Sequence, residues 1–187
     1  MILDSLLQFS SAQSIGVGAQ TLVATNDIDL GLGLVGGIGQ IPSFASGGGA
    51  RDIGIGDDPA MKILVEVVTA ATSAGTTTLQ VVALGAPDNG SGAAGTFTIY
   101  AQSDAIAMVT GGAVQAGGTV GARLFDIDWP RPKPGVAIPR FLRLQYVLTG
   151  TGTGGAISAF LVLDRVDQIV SAAGNLSGYV PGITIPN

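Results

Sequence analysis

The sequence predicts an all-β fold, an antiparallel sandwich, jelly roll or barrel of which the jelly-roll sandwich fits the strand count, on three observations. First, it breaks into about eight to ten short apolar segments separated by turn signals. Second, several segments alternate apolar and polar residues, the period of a half-buried strand. Third, no long stretch carries the 3.6-residue apolar period of a helix. The strongest segment is 140–164. Arg140 to Leu148 places Leu142, Leu144, Tyr146 and Leu148 on one face, with Arg143 and Gln145 on the other. Ala156 to Asp164 places Ile157, Ala159, Leu161 and Leu163 on one face, and Phe160 and Val162 opposite are apolar too. With Thr149–Gly155 between them, the two runs read as a β-hairpin, the first strand half-buried and the second covered on both sides.

In chain order, residues 1–19 read as an apolar N-terminal arm, packed on its own domain or against a partner, with Ile2, Leu3, Leu6, Leu7 and Phe9 as its candidate contact residues. Residues 20–165 form the jelly-roll domain. Residues 20–30 hold one or two strands. A long glycine-rich loop, 31–56, follows. Its Gly31-Leu32-Gly33-Leu34-Val35-Gly36 fits the dinucleotide spacing, but Gly37, Gly39, Pro42 and Gly47-Gly48-Gly49 come where the phosphate-binding helix must start. Such residues do not build a helix, so the glycines read as loop. Ile38, Ile41, Phe44 and Arg51 are the loop's candidate contacts. Residues 62–69 and 76–84 read as a second hairpin about a turn at 70–75. Pro87 to Gly92 is a turn cluster. Thr96–Tyr100, Ala105–Thr110 and Thr119–Ile127 read as further strands, with Phe125, Ile127 and Trp129 on one face of the last and Leu124, Asp126 and Asp128 opposite. Trp129-Pro130-Arg131-Pro132-Lys133-Pro134-Gly135 is a stiff extended connector, because alternating prolines forbid a central strand. Residues 166–187 form a C-terminal tail in which Tyr179, Val180, Ile183 and Ile185 are candidate contacts, either as an edge strand or on a neighbour's sheet.

The composition restricts the chemistry. The 187 residues suit one domain with a real core. With 47% hydrophobic residues and 11% charged, the chain has less than half the usual charge. That suits a protein packed against neighbours. Net charge is −5, which argues against direct contact with nucleic acid. No uninterrupted apolar run is long enough to span a membrane. The basic region that opens a secretory signal is missing from the start of the sequence.

There is no histidine and no cysteine. Ser-His-Asp and Cys-His catalysis and thiolate or imidazole metal sites are excluded. Glu66 is the single glutamate, so a carboxylate pair would come from Asp27/Asp29, Asp57-Asp58 or Asp126/Asp128. Aspartates at such places commonly cap turns. Asp57, Asp58, Asp88 and Asn89 offer oxygens for calcium, without the spacing of a calcium loop. One Trp and three Tyr make a thin platform for sugar stacking. No catalytic residue, cofactor or metal is expected.

Five segments carry a family resemblance. They are Ile2-Leu3-Asp4 with Leu7-Gln8-Phe9-Ser10 and Ala12-Gln13; Asn26-Asp27-Ile28-Asp29-Leu30-Gly31; Arg51-Asp52-Ile53-Gly54-Ile55-Gly56; Arg140 to Tyr146; and Ser158 to Asp164. In this order the set resembles the capsid cement (decoration) proteins of short-tailed bacteriophages, of the Bordetella-phage type. The resemblance implies a non-enzymatic jelly roll on the outer capsid surface of the virion. It implies a homo-dimer or homo-trimer that clamps adjacent capsomers of the major capsid protein and stabilises the expanded shell. The alternatives are another virion component, such as a fibre or receptor-binding head domain, and a carbohydrate-binding β-sandwich module.

Overall fold

The computed structural model describes residues 7–30, 62–129 and 139–162. The described strands are β1 (Gln8–Ser14), β2 (Gln20–Val23), β3 (Ile28–Asp29), β4 (Lys62–Ala86), β5 (Thr98–Gln102), β6 (Ile106–Thr110), β7 (Ala113–Val114), β8 (Arg123–Asp128) and β9 (Phe141–Val162). All pairings between them are antiparallel and join them into one nine-stranded sheet.

Two long strands organise the sheet. β4 and β9 pair from Lys62↔Val162 at one end to Ala86↔Phe141 at the other. Neither predicted hairpin forms. Residues 140–164 hold one continuous strand through Val162, and 62–69 and 76–84 are the two halves of β4. The stretches read as turns, 70–75 and 149–155, instead lie across from each other and bend the ribbon. The register shifts repeatedly between Val67 and Thr77, and such irregularities are how a strand turns a corner. Glycine permits the close approach. A Cβ at Gly150, whose φ is +96°, would stand 2.0 Å from the Thr76 carbonyl oxygen.

The bend divides the sheet into two leaves. In the first, β1 and β8 flank residues 156–162 of β9 and 62–69 of β4. In the second, β2 and β3 border the N-terminal half of β9, while β5 and β6 border the C-terminal half of β4, with β7 outside β6. Alternation sends Ile63, Val65 and Val67 inward from the first leaf and Leu79, Val81 and Ala83 from the second. Leu142, Leu144, Tyr146 and Leu148 join them, as do Ile157, Ala159 and Leu161, in a single core shared by both leaves. The faces read for β9 therefore hold. Ser158 and Val162 on its far side are buried as well, and Phe160 is half-buried.

The N-terminal arm needs correction. Residues 8–14 are β1, paired with β9 through Gln8↔Phe160, Ser10↔Ala159 and Gln13↔Ile157. They belong to the domain. Residues 119–122, read as the start of a strand, form a turn after a 3-10 turn at Ala116–Gly118. Gly121, at φ +82°, donates its N–H to the Val67 carbonyl, and β8 starts only at Arg123. Leu124 is buried like Phe125 and Trp129, so β8 is covered on both faces there. The glycine-rich loop 31–56, most of the proline-rich connector and the tail 166–187 lie outside the described residues.

Candidate functional site

The densest polar constellation lies at the end of the second leaf away from the bend. β3 pairs with β9 through Ile28↔Leu142. Both side chains point inward, so Asp27 and Asp29 fall beside the outward-facing Arg143 and the strand-end Arg140. Arg140 forks onto Asp29, with Nε–Oδ1 2.8 Å and Nη2–Oδ2 2.9 Å. Its Nη1 also pairs with Asp88. Arg143 forks onto Asp27, with Nε–Oδ1 2.8 Å and Nη2–Oδ2 2.5 Å, and its guanidinium lies 3.8 Å from the centre of the Phe97 ring. Bidentate geometry and aromatic stacking are what arginine supplies and lysine does not.

The electrostatics are those of a latch. Asp88 Oδ1 accepts the N–H groups of Gly90 and Gly92 at 2.7 and 3.0 Å. These two bonds, Gly90 first, hold its carboxyl below the usual carboxylate range; burial opposes them, and the Arg140 pair adds to them. The hydrogen bonds that Arg140 donates to Asp29 raise the Arg140 pKa, and those that Arg143 donates to Asp27 do the same for Arg143. Together the five side chains tie β3, β9 and the 87–95 turn to one another.

The other aspartates read as possible carboxylate pairs or calcium ligands are placed similarly. Asp126 and Asp128 neighbour Arg123 and Lys62 respectively. Asn89 Oδ1 accepts from the N–H and hydroxyl of Ser91, which closes the turn. Asp57 and Asp58 lie outside the described residues, as does the glycine fingerprint 31–36. Among the described residues no cluster of three or more acidic groups is placed to hold a metal ion. No described helix is long and apolar enough to cross a membrane.

Of the candidate contact residues, Leu7 and Phe9 are buried in the chain's own core. Their side chains are used in folding and are not a free surface. Ile2, Leu3, Leu6, Ile38, Ile41, Phe44, Arg51, Tyr179, Val180, Ile183 and Ile185 lie outside the described residues. The sequence reading missed a different surface, the outside of the bend, where Val17, Val114 and Val120 are exposed. Its signal was available: the segments that meet there contain no charged residue.

The arrangement defines a class: an all-β domain whose polar clusters brace strands. Within that class, the family model for Bbp16 matches residues 9–161, and the chain belongs to the Bbp16 family. The match runs from the second residue of β1 to the last residue but one of β9, so it takes in part or all of each strand described above. No curated protein matches the chain.

Proposed function

We propose that this chain is a non-enzymatic structural protein of a bacteriophage virion. It binds the outer capsid surface as a small homo-oligomer and clamps adjacent capsomers of the major capsid protein. The observation that carries the reading is the Bbp16 match over residues 9–161, a family whose name points to a Bordetella phage protein. The sequence resemblance to capsid cement proteins supplies the finer role. A charge-poor, hydrophobic composition suits a protein held among neighbours. The two leaves on one core are compatible with the jelly-roll class that the resemblance implies.

The energetics of that role follow from mass action. A protein that binds the expanded shell and not its precursor stabilises the expanded state by its binding free energy. Several weak contacts across neighbouring capsomers multiply into firm attachment. The test is a reconstruction of purified particles together with protein sequencing of them. Density of this fold on the outer surface is the expected result. Absence of the chain from intact particles refutes the proposal.

A further inference from the structure

The charged and uncharged residues of the described domain are segregated. Four segments meet at the bend, 14–25, 67–78, 105–122 and 147–157, and none contains Asp, Glu, Lys or Arg. Hydrogen bonds hold them together there. Gly18 N–H donates to the Gly152 carbonyl at 2.9 Å, Gly112 N–H to the Gly75 carbonyl at 3.2 Å, and Gly121 N–H to the Val67 carbonyl at 2.8 Å. Val17 stands 72% exposed on this surface, Val120 65% and Val114 44%. Between them the outer side of the ribbon presents hydroxyls bonded to one another across β4 and β9. Thr78 and Thr149 share a hydrogen bond, as do Ser73 and Thr151, and Thr153 and Thr72. Glu66 and Arg123, opposite each other in register, stand at the margin. The latch of Asp27, Asp29, Asp88, Arg140 and Arg143 is at the other end of the second leaf.

We infer that this uncharged bend is where two copies of the chain meet. Charge decides the occupant. The chain carries a net charge of −5, so contact between two copies through ionised faces sets like charges against each other. The bend is a surface on which identical chains approach without that cost. Exposed valines at the flanks, hydroxyls between them and charge only at the margin make a face that is buried without desolvating an ion. A two-fold contact is the commonest way for one patch to meet itself. The inference deepens the homo-oligomer part of the proposed function and is independent of shell binding.

The test uses the full chain in solution. Light scattering after gel filtration gives the mass of the wild type, of Val17→Glu/Val120→Glu and of Ile99→Glu, an exposed residue of β5 away from the bend. Circular dichroism and thermal melting establish that each variant is folded. The wild type is expected to be oligomeric, and Ile99→Glu likewise. The double variant is expected to dissociate about a hundredfold more readily, because it brings glutamates together across the contact. A wild type that is monomeric at tens of micromolar (on the order of a weak-to-moderate dimer constant) overturns the inference and the homo-oligomer reading together. An oligomer that the double variant leaves intact overturns the inference alone. A monomeric wild type that loses shell binding in the double variant assigns the face to the capsid and also overturns it.

Discussion

The contact between Ser10 and Tyr146 tests whether β1 is part of the domain or a detachable arm. Ser10 lies on the first leaf and Tyr146 on the second; both are fully buried, and their hydroxyl oxygens are 2.8 Å apart. The hydrogen-bond directions follow from the neighbours. Ser10 Oγ donates to Gln13 Oε1 at 2.6 Å, so the bond to Tyr146 uses the phenol proton. Tyr146→Phe therefore removes a donor while Ser10 keeps its other partner, at a cost of about 1 kcal/mol. Ser10→Ala strands the phenol proton in the core and costs more, about 1–3 kcal/mol. The double variant no longer has a stranded group, so the two losses overlap by about 1 kcal/mol. Urea unfolding of the four proteins measures this coupling, and thermal melting should show about 2–4 °C for each kcal/mol in a chain of this size. Losses that simply add, with coupling under about 0.3 kcal/mol, would falsify the seating of β1 against the second leaf. The reading of the N-terminal segment as an arm for a partner would then return.

The same phenol predicts an alkaline effect. Burial raises the Tyr146 pKa well above its ordinary value of 10, the Ser10 bond opposing only in part. Above about pH 10 the unfolded chain ionises this group and the folded chain does not, so stability falls as pH rises. Tyr146→Phe should flatten that fall in unfolding curves taken from pH 8 to 11, in a range fixed by the ordinary tyrosine pKa of about 10. Gly150→Ala should destabilise by about 3 kcal/mol or more, since positive φ strain adds to a Cβ against the Thr76 carbonyl. Gly18→Ala, at φ +77° with open space around it, should cost only about 1 kcal/mol in the same melts. Thr77 is buried and its hydroxyl has no hydrogen-bond partner. Thr77→Val keeps the shape and should raise stability by about 1 kcal/mol, read from the urea midpoint.

The core faces were legible because period-2 alternation is a direct consequence of the pleat. Leu142, Leu144, Tyr146 and Leu148 are all buried in the positions the pattern assigns. What the pattern could not show was which strand pairs with which. Thr149–Gly155 and Ala70–Gly75 have the composition of turns, and glycine does serve turns. Here each stretch is the other's partner, and glycine answers to the close approach of two backbones at a corner. Local composition reports a need for small residues, whichever backbone imposes it. The aspartate pairs were similarly ambiguous. Asp27 and Asp29 became latch residues only because β3 pairs with β9, more than a hundred positions away, beside Arg140 and Arg143. The N-terminal segment was open between its own domain and a partner for a related reason. Leu7 and Phe9 look like an exposed apolar arm until the long second half of β9 offers β1 an edge.

The bent ribbon also explains why charge is segregated. Folding one long two-stranded ribbon in half brings its two ends together and leaves its middle at the far side. At the joined ends, chain segments that are remote in sequence must be held in place, and ion pairs do so: Arg140 to Asp29 and Asp88, Arg143 to Asp27, Lys62 beside Asp128. Tyr100 and Trp129 meet there as well, ring centres 6.1 Å apart across the two leaves. At the middle, backbones approach so closely that a Cβ at Gly150 or Gly155 would stand against the opposite strand, so glycine is what fits there. The glycines of the bend are thus first a requirement of folding, while Thr72, Thr76, Thr151 and Thr153 beside them are exposed. Use of the bend as a contact surface would need no further charge to be removed, only valines left exposed at 17, 114 and 120. If the fold alone accounted for the bend, positions 17 and 120 would tolerate glutamate with no change in assembly, which is the outcome the oligomer measurement is set to detect.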